Sequence, residues 1–248
     1  MNLSKAVFSV SALTLLSRVT GLVREQIGAA LFGTSAMMDA FQIAFRIPNL
    51  LRRLFAEGAF AQAFVPLIAA TRASDGDVAT RALVDAVATV LAWALVLTCG
   101  LGIAAAPGLV WLLASGFAPA TEDAAVVMTR WMFPYIGCMS MVALASGVLN
   151  TWRRFMVPAF TPVLLNLSVI GAALLLVPVF RTRGIEPVYA LAVGVMVGGV
   201  LQLALQLPAL AAIGMLPRLG VGWRSEEHTS ELQSPTTLFP YTTLFRSA

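Results

Sequence analysis

Charge is what this sequence has least of. Only 11% of its 248 residues are charged and 59% are hydrophobic, with a mean hydropathy of +0.86. That balance excludes a soluble domain, however large its core, and indicates a membrane protein. Lysine is nearly missing, with Lys5 alone against fifteen arginines. The net charge is +4, yet no dense basic run with interleaved aromatics lies outside the apolar segments, so nucleic acid is not an expected partner. The one histidine, His228, sits near the carboxyl end, and both cysteines, Cys99 and Cys138, lie inside apolar segments. No clustered Asp or His offers a metal site, no cofactor is expected, and the cysteines read as small packing residues rather than a disulfide.

The charge that does occur is concentrated. Residues 39 to 66 are apolar enough to enter a bilayer but carry Asp39, Arg46, Arg52, Arg53 and Glu57. An unpaired charge at the centre of a membrane helix costs roughly 2.5 to 3.5 kcal/mol, so such residues face a bundle interior or a wet cavity. At 100° per residue, Asp39, Gln42, Arg46, Asn49, Arg53 and Glu57 share an arc of about 80°, while Phe41, Ile43, Phe45, Leu51 and Leu54 are left for lipid or helix contacts. Pro48 removes a backbone hydrogen bond and is expected to kink or open the helix, shifting the phase of Arg52 and Arg53. Broken, polar-faced helices are where transporters place their substrate sites.

The expected architecture is all-α, with six membrane spans over residues 1–224: about 5–32, 36–70, 82–105, 124–149, 157–179 and 187–213. Each holds 20 or more residues, enough at about 1.5 Å per residue to cross a hydrocarbon layer of about 30 Å. In the first span Ser4, Ser11, Thr14, Arg18, Gly21, Glu25 and Gly28 form a polar or small strip, with Arg24 beside it. Apolar character past Arg18 without a clear cleavage site favours an uncleaved span over a signal peptide. Thr71 to Arg81 reads as a loop turning at Asp75-Gly76-Asp77, and Pro107 to Asp123 as an interfacial connection. Arg130 reads as a structural residue reaching for the interface. Asn150-Thr151-Trp152-Arg153-Arg154-Phe155 is a tight basic turn with an interfacial aromatic. Gly194, Gly198 and Gly199 predict close helix packing. An amino terminus on the cytoplasmic side puts Lys5, Arg72, Arg81, Arg153, Arg154, Arg218 and Arg224 there, leaving Arg181 and Arg183 opposite, so both termini are expected to be cytoplasmic.

Beyond Trp223 the composition changes. Residues 225–248 are rich in Ser and Thr, lack apolar periodicity and contain Thr-Thr-Leu-Phe twice, at 236–239 and 242–245. The stretch resembles translated sequencing-adapter DNA and is set aside as a non-native, disordered tail.

Three groups of residues carry a resemblance. They are Ser17-Arg18-Val19-Thr20-Gly21-Leu22-Val23-Arg24-Glu25 with Asp39-Ala40-Phe41; the run Ile47-Pro48-Asn49 to Phe60 with Gln62 to Pro66; and Leu149 to Phe155 with Pro158-Ala159-Phe160, joined by Gly198 to Leu203 and Gln206-Leu207-Pro208. Together they closely resemble the MurJ (MviN) family over residues 1 to about 223. The resemblance implies a transporter rather than an enzyme: a bacterial inner-membrane flippase for lipid II, the undecaprenyl-diphosphate-linked peptidoglycan precursor. It further implies the fold of the multidrug/oligosaccharidyl-lipid/polysaccharide exporters, two six-helix lobes rocking around a cavity, of which this chain matches the amino-terminal lobe. The implied partners are lipid II, membrane lipids and a carboxyl-terminal lobe of the same polypeptide. Coupling to sodium or to the membrane potential would reside mostly in that second lobe.

Arg18, Arg24 and Arg52 are similar to the family's cavity cations, with Arg53 adjacent. Helical phase prefers Arg53 and the resemblance prefers Arg52. Arginine suits a diphosphate because its planar fork donates two parallel hydrogen bonds. Asp39 and Glu25 are expected as gating or ion-pairing carboxylates, with Glu57 at the other side. Ser17, Gln42, Arg46 and Asn49 are expected as polar cavity lining. The alternatives are an exporter of a drug or another polyprenyl-linked glycan in the same superfamily, an enzyme acting on a polyprenyl diphosphate, and a lobe that does not transport by itself.

Overall fold

The computed structural model describes residues 3–52 and 59–220, with side chains described for residues 8–46, 48–50 and 62–220. Every regular element among them is an α-helix: α1 (Leu3–Phe32), α2 (Ala36–Arg52), α3 (Ala59–Leu113), α4 (Pro119–Met132), α5 (Tyr135–Thr151), α6 (Met156–Thr182) and α7 (Tyr189–Ala212). Among the described residues, four stretches are long and apolar enough to cross a membrane, Gln62–Leu113, Pro119–Thr151, Met156–Thr182 and Tyr189–Ala212. The chain is therefore an integral membrane protein. α1 and α2, which hold most of the candidate charges, are not among those four.

The helix boundaries differ from expectation where glycine and proline intervene. The expected span 36–70 is divided between α2 and α3, with 53–58 outside the described residues. α2 stays helical through Pro48. Thr71 to Arg81 is not a loop: α3 is helical on both sides of Gly76, which alone leaves helical conformation at φ 81° and ψ −173°. A straight helix of this length would reach about 80 Å, far beyond a hydrocarbon layer. The chain instead doubles back at Gly76, because Phe64 and Ile68 before it share one buried cluster with Val84 and Ala88 after it. Arg72 Nε donates to Asp77 Oδ1 across the bend at 3.1 Å. Pro107 does not end α3, and the connection expected over Pro107 to Asp123 shrinks to residues 114–118. The expected span 124–149 is two helices, because Pro134 lacks the N–H that would bond the Arg130 carbonyl. Arg130 is exposed in the last turn of α4, where a cation favours the helix dipole.

Packing follows the small residues. A Cβ on Gly194 would lie 2.8 Å from Val169 Cα, and one on Gly198 would lie 2.8 Å from Leu165 Cδ1, so both glycines let α7 rest against α6. Gly199 faces α5 instead, where a Cβ would meet Tyr135 Cδ2 at 2.8 Å. Without a hydrophobic drive between helices in lipid, such close approach supplies the van der Waals contact that holds a bundle. Around it, Met128, Met132, Tyr135, Ala40 and Ala44 form the larger buried cluster, uniting α2, α4 and α5 with α7. Leu97, Leu101, Trp111, Leu175 and Val200 are exposed, as the lipid-facing surface of a membrane bundle requires. α1 stands at the margin, packed chiefly on α6.

Gly194→Leu is expected to force α6 and α7 apart and to lower stability by about 1–3 kcal/mol, read as a lower unfolding midpoint in detergent. An unchanged midpoint would contradict the close packing at this position.

Candidate functional site

A cavity of ≈ 550 Å³ opens between the helices. α1 contributes Ser17 and Arg24, and α2 contributes Phe45 and Asn49. The far walls come from Tyr135, Ser146 and Asn150 of α5, Thr161 and Asn166 of α6, and Gln202 of α7. Arg24 is the one charged side chain among the described lining residues.

Its position is set by Asn166, which is buried in the α1–α6 contact. Arg24 Nη1 donates to Asn166 Oδ1 at 3.1 Å. Asn166 Nδ2 donates to the Ser17 carbonyl at 2.9 Å and to Thr20 Oγ1 at 3.1 Å. One amide thus ties three residues over about two turns of α1 to α6, and its orientation is fixed because its oxygen accepts from a guanidinium and its nitrogen meets a carbonyl. Arg24 Nη2 donates to Glu25 Oε1 from the exposed side. A guanidinium has five N–H groups; these two contacts leave three for a ligand.

Two amides of α7 are buried nearby, of which Gln202 lines the cavity. Gln202 Nε2 donates to the Thr161 carbonyl at 2.7 Å, and Gln206 Nε2 to Ser146 Oγ at 2.9 Å. Gln202 and Gln206 are buried, and their Oε1 atoms have no partner among the described residues. Pro162 deprives the Pro158 carbonyl of its helical donor, and Thr161 Oγ1 replaces it at 2.7 Å.

The structure brings together Ser17, Arg24 and Asn49 at this cavity, with Glu25 against Arg24. Arg18 is exposed and lies outside the lining. Asp39, Gln42 and Arg46 are also exposed and outside it. Asp39 occupies the first turn of α2, where a carboxylate complements the helix dipole, and Ser35 Oγ caps the same turn by accepting from Met38 N at 3.2 Å. The Arg52 side chain, Arg53 and Glu57 lie outside the described residues. The strip expected on α1 is divided. Gly28 is buried and Gly21 faces Asn166, whereas Ser11, Thr14, Arg18 and Glu25 are exposed.

Asn166, Ser146 and Tyr135 were not expected at the site, and Gln202 was noted only as part of a motif. A signal existed for Asn166, because an amide within Leu164-Leu165-Asn166-Leu167 must find a partner inside the bundle.

Three comparisons bear on this arrangement. A family model described as Lipid II flippase MurJ matches residues 28–248, a range that takes in the carboxyl-terminal stretch set aside above. The chain is 54% identical over 223 residues to the lipid II flippase MurJ of Burkholderia cenocepacia, covering 89% of this chain and 42% of that protein. It is 38% identical over 231 residues to the probable lipid II flippase MurJ of Vibrio cholerae, covering 90% and 43%. Among solved structures, lipid II flippase MurJ in an inward closed conformation matches with a TM-score of 0.68 at 23% identity, over 86% of this chain and 43% of that one, a likeness of fold. The chain thus spans less than half the length of the relatives it matches.

Asn166→Leu is expected to strip Arg24 Nη1 and the Ser17 carbonyl of a partner and to lower stability by about 1–3 kcal/mol, measured by thermal unfolding in detergent. A wild-type midpoint would show that the amide does not hold α1 in place.

Proposed function

Because this chain belongs to the lipid II flippase MurJ family, we propose that it forms the amino-terminal lobe of a flippase moving lipid II from the cytoplasmic to the periplasmic leaflet of the bacterial inner membrane. In this reading residues 1–224 make six spans, α1 and α2 included, with both ends of the lobe cytoplasmic. Residues 225–248 are foreign to the gene, so resequencing past Trp223 should replace them with further membrane-spanning sequence.

The observation that carries the reading is Arg24, held at a cavity wall between Asn166 and Glu25 with part of its donor fork unspent. A diphosphate offers two adjacent anionic groups, and a pre-oriented guanidinium in a partly desolvated site binds them strongly. Arg18 of α1, Arg52 at the end of α2 and the next residue in the sequence, Arg53, supply further positive charge. Ser17, Asn49, Gln42 and Arg46 provide polar surface along the path. Glu25 competes with phosphate for Arg24 Nη2, so loading exchanges a carboxylate for a phosphate and release restores the pair. Asp39 and Glu57 act in the same way toward the two ends. A contact made in one state and lost in another is what biases a two-state element.

Alternating access needs two lobes, so the 248-residue chain alone does not flip lipid. Displacement of its arginines within the membrane field would couple transport to potential at about 2.3 kcal/mol per charge per 100 mV. Any sodium site would be drawn mostly from the second lobe.

Binding of lipid II to the intact two-lobed protein tests the site. Arg24→Ala/Arg52→Ala is expected to weaken it at least about tenfold, as loss of charge-assisted hydrogen bonds would. Unchanged binding would overturn the assignment, and lipid flipping by the 248-residue chain alone in liposomes would refute the two-lobe requirement.

A further inference from the structure

α5 closes with the same hydrogen-bond pattern as α6 and α7 but without their glycine. Arg154 N–H bonds the Leu149 carbonyl at 2.9 Å and Arg153 N–H bonds the Asn150 carbonyl at 2.9 Å. This is a closing motif that places the residue after the cap in the left-handed region, where glycine is favoured. Among the described residues, the left-handed positions after α1, α6 and α7 are Gly33, Gly184 and Gly214, whereas α5 carries Arg153 at φ 58°. A non-glycine residue held in that conformation is strained, and such strain directs attention to what its side chain does.

The surroundings say what it meets. Arg72 Nη1 donates to the Thr151 carbonyl at 3.0 Å, its Cζ lies 4.0 Å from the Trp152 ring centroid, and its Nε holds Asp77. Arg72 is thus committed to closing the end of α5, and Asp77 is committed to Arg72. Arg153 and Arg154 are both exposed, and neither guanidinium has a hydrogen bond or ion pair among the described residues. Directly after them Phe155 and Met156 are exposed as well, at 36% and 45%. Exposed apolar side chains beside a half-buried Trp and two cations without a partner among the described residues mark the level where acyl chains give way to headgroups.

We propose that Arg153 and Arg154 form a binding site for the phosphate of an anionic phospholipid, with Phe155 and Met156 immersed beside its acyl chains. A phosphodiester accepts paired guanidinium hydrogen bonds, and the negative headgroup neutralises the charge that no carboxylate of the turn is left to meet. Neither arginine lines the Arg24 cavity, and the site does not depend on the transport reading.

The test uses the full chain, with lipid retention followed by native mass spectrometry from nanodiscs of phosphatidylglycerol or phosphatidylcholine. Phosphatidylglycerol is expected to be retained over phosphatidylcholine, with inorganic phosphate at millimolar concentration unable to displace it. Arg153→Gly and Arg154→Ala are each expected to weaken retention about fivefold, and Arg153→Lys, which keeps the charge but loses the paired fork, to weaken it less than Arg153→Gly does. Arg153→Gly relieves the left-handed strain, so its unfolding midpoint should equal or exceed that of the wild type, separating lost binding from lost fold. Equal retention of the two lipids, displacement by inorganic phosphate, or undiminished phosphatidylglycerol retention by a folded Arg153→Gly variant would overturn the site.

Discussion

In hydrocarbon a polar group without a partner costs several kcal/mol, and much of the form of this bundle follows from how its polar groups find partners. Threonines in the helices mostly bond within their own turn: Thr14, Thr20, Thr80, Thr89, Thr129 and Thr151 each donate to the carbonyl four residues back. Prolines are tolerated where a neighbour takes over the abandoned carbonyl, as Thr161 does for Pro158. Amides cannot close on themselves in this way, and they become the bonds between helices. Asn166 joins α6 to α1, Gln202 joins α7 to α6, and Gln206 joins α7 to α5.

Those amide bridges require close backbones, and the glycines of α7 provide them. Gly194 and Gly198 face α6 while Gly199 turns to α5, so α5, α6 and α7 form one tightly packed wall. The cavity lies against it, with Tyr135 of α5 packed near Phe45 of α2 at 6.2 Å between ring centroids. A rigid wall of this kind matters for anion binding, because a guanidinium contributes most when it is already oriented before the ligand arrives. Arg24 gains that orientation from a residue whose own helix is fixed by the glycine contacts.

Much of this was legible in the residues, and the failures have physical causes. Periodicity and length give the helical class and the extents of α6 and α7, while the Gly194/Gly198/Gly199 cluster gives their contact. Polarity misleads around Gly76: Asp75, Asp77 and nearby Ser and Thr suggest a wide loop, but one left-handed glycine turns the chain and the flanking residues stay helical. Angular phase misleads on α1. Residues 11, 14, 18 and 25 form a polar strip, yet the side packed on α6 is Ser17, Thr20, Gly21 and Arg24, about a quarter-turn away. What decides the packed side is a partner on another helix, Asn166, which no local pattern on α1 can reveal.

The same geometry bears on the proposal that the exposed charges of α1 face water rather than lipid. Three surfaces run along the helix. One packs on α6 through Ser17, Gly21 and Arg24; a second, with Ser11, Thr14, Arg18 and Glu25, is polar and exposed; a third, with Phe8, Leu15, Val19 and Val23, is apolar and exposed. The apolar surface can meet acyl chains at no cost. The polar surface cannot, since each charge left in hydrocarbon costs roughly 2.5 to 3.5 kcal/mol or more. It adjoins the stripe that brings Arg24 and Ser17 to the cavity, and Glu25 already reaches across to Arg24 from it. On the proposed reading, the arrangement of least cost is a wet surface that continues around α1 from the cavity, which would put Arg18 and Glu25 in the same hydrated space as Arg24 although they do not line its walls.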